Sequence, residues 1–203
     1  VEEVQVPERF NTNINLRPLV PPTQKKAAGP MPPAWDEDEL QRICDHVRGF
    51  ELEPTAIGLP ISGRILLGQE GRDEDLEDVI ERIQMAGRVG FAVMTWNFTA
   101  LRASEGYAAQ EGAGRGGAHL RDFDDARIRD LPPLDDVGRH GMEAMWGRLE
   151  YCLQRIVPAA EAAGVRLAMH PNDPPVPEYR GVAQPLWNLE GMKRLIEVVD
   201  SPA

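Results

Sequence analysis

Chemistry in this chain concentrates on His170. The imidazole ends an apolar stretch, Val165-Arg166-Leu167-Ala168-Met169, and opens a stiff one, Pro171-Asn172-Asp173-Pro174-Pro175. A ring at a strand end, on backbone held by Pro171, Pro174 and Pro175, has the fixed position that a metal ligand needs. The same residue can equally cap the strand by hydrogen bonding a neighbouring loop. Asp173 reads either as a carboxylate that fixes the tautomer of His170 or as a turn residue of the Asn-Asp-Pro type. Asn97 closes another apolar run, where an amide can bond a hydroxylated ligand. Trp96 beside it packs on a sugar face, or in the core if Thr95 and Asn97 point inward. Arg102 and Arg115 fall in loops on the same side, where a guanidinium can grip a carboxylate through two bonds. Asn97, Arg102, Arg115 and Asp173 are thus the candidate substrate-binding residues, and His170 the candidate metal ligand. The glycines around Arg115 lack the strand-turn-helix setting of a nucleotide loop. His46, His119 and His140 form no pair with helical zinc spacing, and there is no nucleophile elbow or Cys/His motif.

The elements around these residues alternate. Val1 to Val6 reads as a first strand. Asp36-Glu37-Asp38-Glu39 opens a helix with Leu40, Ile43, Cys44, Val47 and Phe50 on one face and acids at the positive end of its dipole. Thr55 to Pro60 is a short buried strand, and Ser62 to Arg72 a loop. Asp73-Glu74-Asp75 starts a second helix, closed by Gly87 and Gly90. Phe91 to Phe98 reads as a strand buried on both faces. A helix over Met142 to Ala163 is kinked, or its last segment begun, at Pro158, and ends at Gly164. Val165 to His170 is the next strand and Leu189 to Val199 the last helix.

Connections are short after helices and long after strands, the arrangement of βα folds whose functional loops leave the C-terminal ends of parallel strands. The sequence fits one α/β domain over residues 1–203, with a proline-rich insert at 18–33 and a glycine-rich one at 99–138. Four βα units make an open sheet or half of a (β/α)8 TIM barrel. A sequence that stops after a helix at Asp200-Ser201-Pro202-Ala203 favours the barrel.

With 22 basic and 33 acidic residues the net charge is −11, which argues against a nucleic-acid backbone or an anionic membrane as partner. No apolar run approaches the roughly 20 residues of a membrane span. Val1-Glu2-Glu3 lacks signal-peptide character, and Cys44 and Cys152 sit in helical patterns as small buried thiols, so a reducing cytoplasm is expected.

Taken together, Val165 to Pro175, the preceding Ile156 to Gly164, Leu59-Pro60, Trp96-Asn97-Phe98 and the closing Val198 to Ala203 resemble the mannonate dehydratase family. These are xylose-isomerase-like barrels, and the resemblance runs from about residue 36 onward. It implies a metal-dependent lyase, a hydro-lyase that takes D-mannonate to 2-keto-3-deoxy-D-gluconate with a divalent cation, commonly manganese, in hexuronate catabolism. His170 matches the first of four metal ligands; the family's Cys, His and Asp come from later strands, and Cys44 and Cys152 do not match the ligand cysteine. The sequence departs from the family pattern at Asn172, where aspartate is commoner, at Trp96, in place of tyrosine, and in the 99–138 insert. An isomerase or epimerase of the same superfamily needs acidic residues at strand ends, and Thr55 to Leu59 and Phe91 to Asn97 have none. The contrasting reading is a small α/β binding module in which His170 is structural. The expected partner is a small sugar acid, with self-association through an open sheet edge left open.

Overall fold

The computed structural model describes residues 29–101 and 105–203, together with the backbone of residues 2–6. Arg102 and residues 18–28 of the proline-rich insert therefore lie outside the described residues. In chain order the elements are β1 (Glu2–Val6), α1 (Glu37–Arg48), β2 (Leu52–Gly58), α2 (Gly63–Leu67), α3 (Arg72–Val89), β3 (Val93–Asn97), β4 (Tyr107–Gln110), β5 (Leu120–Phe123), α4 (Met142–Ala163), β6 (Arg166–His170), β7 (Glu178–Tyr179), β8 (Val182–Ala183) and α5 (Leu189–Glu197). Two 3-10 turns, Arg115–Gly117 and Asp125–Arg127, flank β5. The fold is mixed α/β. Its main sheet has the order β1-β2-β3-β6 with every pair parallel, which is the expected βα alternation.

Helix α1 starts where the sequence places it. The Asp36 carboxylate accepts from the Glu39 amide at 2.8 Å, and Glu37, Asp38 and Glu39 occupy the first turn. Leu40 and Cys44 are buried, but the helix ends at Arg48, so Phe50 leaves the apolar stripe and is 66% exposed against the edge of His46. The Ser62 to Arg72 stretch, read as a loop, contains α2. Five residues are too few to display helical periodicity, yet Ser62 caps them through the Ile65 amide, and Gly68 at φ +66° closes them. In α3 the terminating glycine is Gly90, at φ +102°, whereas Gly87 lies inside the helix. A Cβ on Gly87 would stand 2.5 Å from the Ala163 carbonyl oxygen, so glycine lets α3 approach the end of α4.

Helix α4 runs as one element through Pro158. Its buried residues Met145, Trp146, Leu149, Cys152, Leu153, Ile156, Val157 and Ala160 pack on α3 and on the back of the sheet. Amphipathic burial of that extent outweighs the single backbone bond a proline removes. Helix α5 is capped by Asn188, which accepts from the Gly191 amide at 2.9 Å, but Leu189 and Ile196 on it stay exposed. The 99–138 stretch is not one loop: it holds the antiparallel β4–β5 hairpin, with Tyr107 opposite Phe123 and Ala109 opposite Arg121. Among the described residues no helix is long and apolar enough to cross a membrane.

Candidate functional site at the C-terminal strand ends

Strand β3 is buried on one face, not two. Met94 and Trp96 are buried, Val93 and Thr95 half-buried and Asn97 exposed, and in β6 Arg166, Ala168 and His170 are exposed in turn. Register explains the alternation, because Val93, Thr95 and Asn97 pair with Arg166, Ala168 and His170 and share a face. Trp96, Leu167 and Met169 lie on the other face, where a cleft of about 120 Å³ is walled by Leu153 and Val157 of α4 and Leu195 of α5. Trp96 is thus a core residue at 2% exposure and not a platform for a sugar. The open face carries Asn97 and His170 side by side at the C-terminal ends of adjacent parallel strands, behind a floor of small residues, Ala56, Gly58, Thr95 and Ala168. That is where ligands bind in α/β sheets.

His170 has a defined tautomer. Its Nδ1 lies 2.6 Å from the carbonyl oxygen of Pro171. A carbonyl only accepts, so Nδ1 carries a proton there, and it is Nε2, on an exposed ring, that the neutral imidazole would offer to a ligand. A metal-ligating histidine is arranged in this way, its second nitrogen held by a carbonyl. The donor chemistry fits a cation, but one ligand does not make a centre. Among the described residues no three His, Cys, Asp or Glu side chains converge as a metal site.

Asn172 holds the loop that follows. It is 4% exposed; its Nδ2 donates to the Phe98 carbonyl at 3.0 Å and to the Thr99 hydroxyl at 3.1 Å, and its Oδ1 accepts from the Leu186 amide at 2.7 Å. Its own backbone amide donates to the Leu186 carbonyl at 3.1 Å. The side chain therefore uses both halves of an amide to tie the end of β3, the loop after β6 and the approach to α5. A carboxylate could not donate to Phe98, which explains asparagine at this position.

Asp173 accepts a bond from the Tyr107 hydroxyl on β4. Loss of water and that bond push the Tyr107 phenol up to about 12. Its carboxylate anchors the hairpin next to the site and has no bond to His170, so the tautomer role falls to the Pro171 carbonyl. The hairpin base is fixed a second time by Glu105, which pairs with Arg180 at 2.8 Å and accepts from the Tyr179 hydroxyl. Arg180 also donates to the Pro132 carbonyl at 2.7 Å. Arg180 and Gly181, at φ +48° and +79°, form the two-residue turn between β7 and β8. His140 Nδ1 accepts from Arg148 and Nε2 donates to the Val137 carbonyl, so His140 is a structural bracket. Burial, and after it the charge of Arg72, lowers the Arg148 pKa.

Of the sequence-level candidates, the structure brings Asn97 and His170 together and places Asp173 beside them through its loop. Arg115 sits exposed in the 3-10 turn at the hairpin tip, away from the Tyr107 contact. Sequence reasoning passed over Tyr107, Glu105 and Arg121, and met Asn172 only as a departure from the family pattern. The signal for Asn172 was present, since an amide between two proline-flanked positions at a strand end invites a two-sided bond.

Comparisons with known proteins converge. A family model described as D-mannonate dehydratase (UxuA) matches residues 136–203. A mannonate dehydratase of Streptococcus equi subsp. zooepidemicus is 29% identical over 201 residues, covering 85% of this chain and 54% of that protein. One of Streptococcus uberis is 25% identical over 194 residues, covering 85% and 56%. The crystal structure of mannonate dehydratase from Streptococcus suis serotype 2 aligns with a TM-score of 0.70 at 26% identity, over 85% of this chain and 50% of the other. The chain spans about half the length of the curated relatives it matches.

Proposed function

We propose that this chain, which is similar to the mannonate dehydratases over 85% of its length, forms one arc of a (β/α)8 barrel that dehydrates D-mannonate to 2-keto-3-deoxy-D-gluconate with a divalent cation, manganese for preference. The observation that carries the reading is the tautomer of His170: Nδ1–H on the Pro171 carbonyl, Nε2 free on the open face beside Asn97. The barrel is supported by the outer edge of β6, the last strand of the sheet among the described residues, where the Leu167 amide donates to the Ala203 carbonyl at 2.8 Å, as it would to a further parallel strand. His170 would hold the cation as one ligand, with the others drawn from the part of the relatives' length that this chain does not span. When bound, the cation supplies a Lewis acid that stabilises the enolate-like charge formed as the proton beside the carboxylate leaves.

This chain's own residues position. Asn97 offers an amide to a sugar hydroxyl, and the Asn172 bonds keep His170 from swinging with its loop. The small residues Gly58, Thr95 and Ala168 leave room on the sheet for a linear sugar acid. In this reading the protein acts in carbohydrate metabolism in the cytoplasm.

The test is the intact protein with and without His170→Ala, assayed for manganese binding by calorimetry and for keto-acid formation from D-mannonate. Because the ring is exposed and, among the described residues, bonds its neighbour's carbonyl alone, the variant is expected to keep its circular dichroism and unfolding midpoint. It is expected to lose both metal binding and turnover. Retained turnover removes His170 from the site, and an inactive wild type loaded with metal removes the dehydratase reading.

A further inference from the structure

The β4–β5 hairpin presents two faces, and the site takes one of them. Tyr107, Phe123, Ala109 and Arg121 share a face by register; Ala108, Asp122, Gln110 and Leu120 share the other. The first face is turned toward the loop after His170, because Tyr107 on it donates to Asp173, three residues beyond the imidazole. On that face the Arg121 guanidinium lies over the Tyr107 ring, its carbon 4.3 Å from the centroid. Ala109, opposite Arg121, is too small to cover it.

The neighbouring arginines are engaged or elsewhere. Arg127 is taken by Asp122 at 2.9 Å and by the Gly106 carbonyl, and Arg129 by Asp125 at 2.7 Å. Arg115 lies at the tip. Among the described residues Arg121 has no carboxylate partner, although the chain carries 33 acids. Stacking leaves the in-plane N–H edge of a guanidinium available, and that planar fork matches a carboxylate.

We infer that Arg121 is the residue that recognises the substrate's carboxylate, delivered over His170 by a hairpin that Tyr107 and Asp173 hold down. The inference deepens the dehydratase reading and rests on it. Arg121 selects for the acid over the neutral polyol, and Tyr107 positions it by stacking.

The experiment compares the intact, manganese-loaded protein with Arg121→Gln and Arg121→Lys, using D-mannonate and the neutral D-mannitol as titrants beside steady-state kinetics. Losing a charge-assisted bidentate pair is expected to raise the D-mannonate KM and Kd by about 10- to 100-fold. Binding of D-mannitol should stay as in wild type, and Arg121→Lys should recover part of the loss. Unchanged discrimination between acid and polyol in Arg121→Gln overturns the assignment while leaving the dehydratase reading standing. Should the wild type dehydrate no sugar acid, that reading falls, and titration still decides on Arg121: a preference for aldonates over alditols that Arg121→Gln removes supports it. The absence of any such preference in wild type overturns it.

Discussion

Removing the Asn172 side chain tests whether the site is held by one buried amide. In Asn172→Ala the Phe98 carbonyl and the Leu186 amide lose their side-chain partner, both belonging to residues exposed by no more than 1%. The half-buried Thr99 hydroxyl can turn to water and is left out of the sum. Each buried group left unpaired costs about 1–3 kcal/mol, so the expected loss is about 2–6 kcal/mol. That is a large part of a typical stability of about 5–15 kcal/mol. Asn172→Asp separates geometry from volume. The introduced carboxyl would sit at a position 4% exposed and face the Phe98 carbonyl, so its pKa in the folded state must rise above the ordinary value near 3.9. With the folded value raised, the deficit is small below the unfolded pKa, where the protonated acid can donate to Phe98. It grows as pH climbs through the folded pKa and is complete above it. Urea unfolding of the intact protein, followed by tryptophan fluorescence at pH 5 and pH 8 with unchanged slope, reads both variants. A loss below about 1 kcal/mol in Asn172→Ala would refute the reasoning, as would an Asn172→Asp protein as stable as wild type at pH 8.

Two further outcomes follow from buried groups. Arg82 is 1% exposed and donates to the carbonyls of Pro32 and Pro33 at 2.9 and 3.0 Å while pairing with Asp78, so Arg82→Met should cost about 2–3 kcal/mol. It should also speed amide exchange over residues 34–36, and unchanged exchange there would show that the arginine does not hold the segment. Burial pushes the Cys152 thiol up to about 12, so at pH 8 it remains protonated and a disulfide-exchange reagent should reach it only on unfolding. Stoichiometric labelling of Cys152 in the native protein would contradict its burial.

The parts of the fold legible in the sequence are those written in local pattern. The acids at 36–39 and the stripe through Leu40 and Cys44 gave α1, and the Gly90 and Gly164 stops marked where β3 and β6 begin. Pattern failed where an element was too short to show a period, as in α2 and the four-residue strands of the hairpin. It failed again at β3, whose continuous apolar run implied two covered faces. A run of Val, Met, Thr and Trp reads the same whether helices cover one face or both, and here Val93, Thr95 and Asn97, which alternate with Met94 and Trp96, look onto the open side.

The site divides along the same line. His170 and Asn97 were found because each ends a strand whose direction is fixed by the preceding helix, so their meeting needed only the parallel register. What surrounds them joins distant parts of the chain: Tyr107 to Asp173 across 66 residues, Asn172 to Phe98 across 74 and Arg180 to Glu105 across 75. No local spacing encodes such pairs. Asp173 shows the consequence, since the sequence offered it either as the carboxylate that fixes the His170 tautomer or as a turn residue, and the structure bonds it to Tyr107 of the hairpin. The carboxylate is a peg for the β4–β5 lobe, while the imidazole bonds the carbonyl next to it, so a change at Asp173 acts first on the placement of Tyr107 and of the Arg121 that lies over its ring.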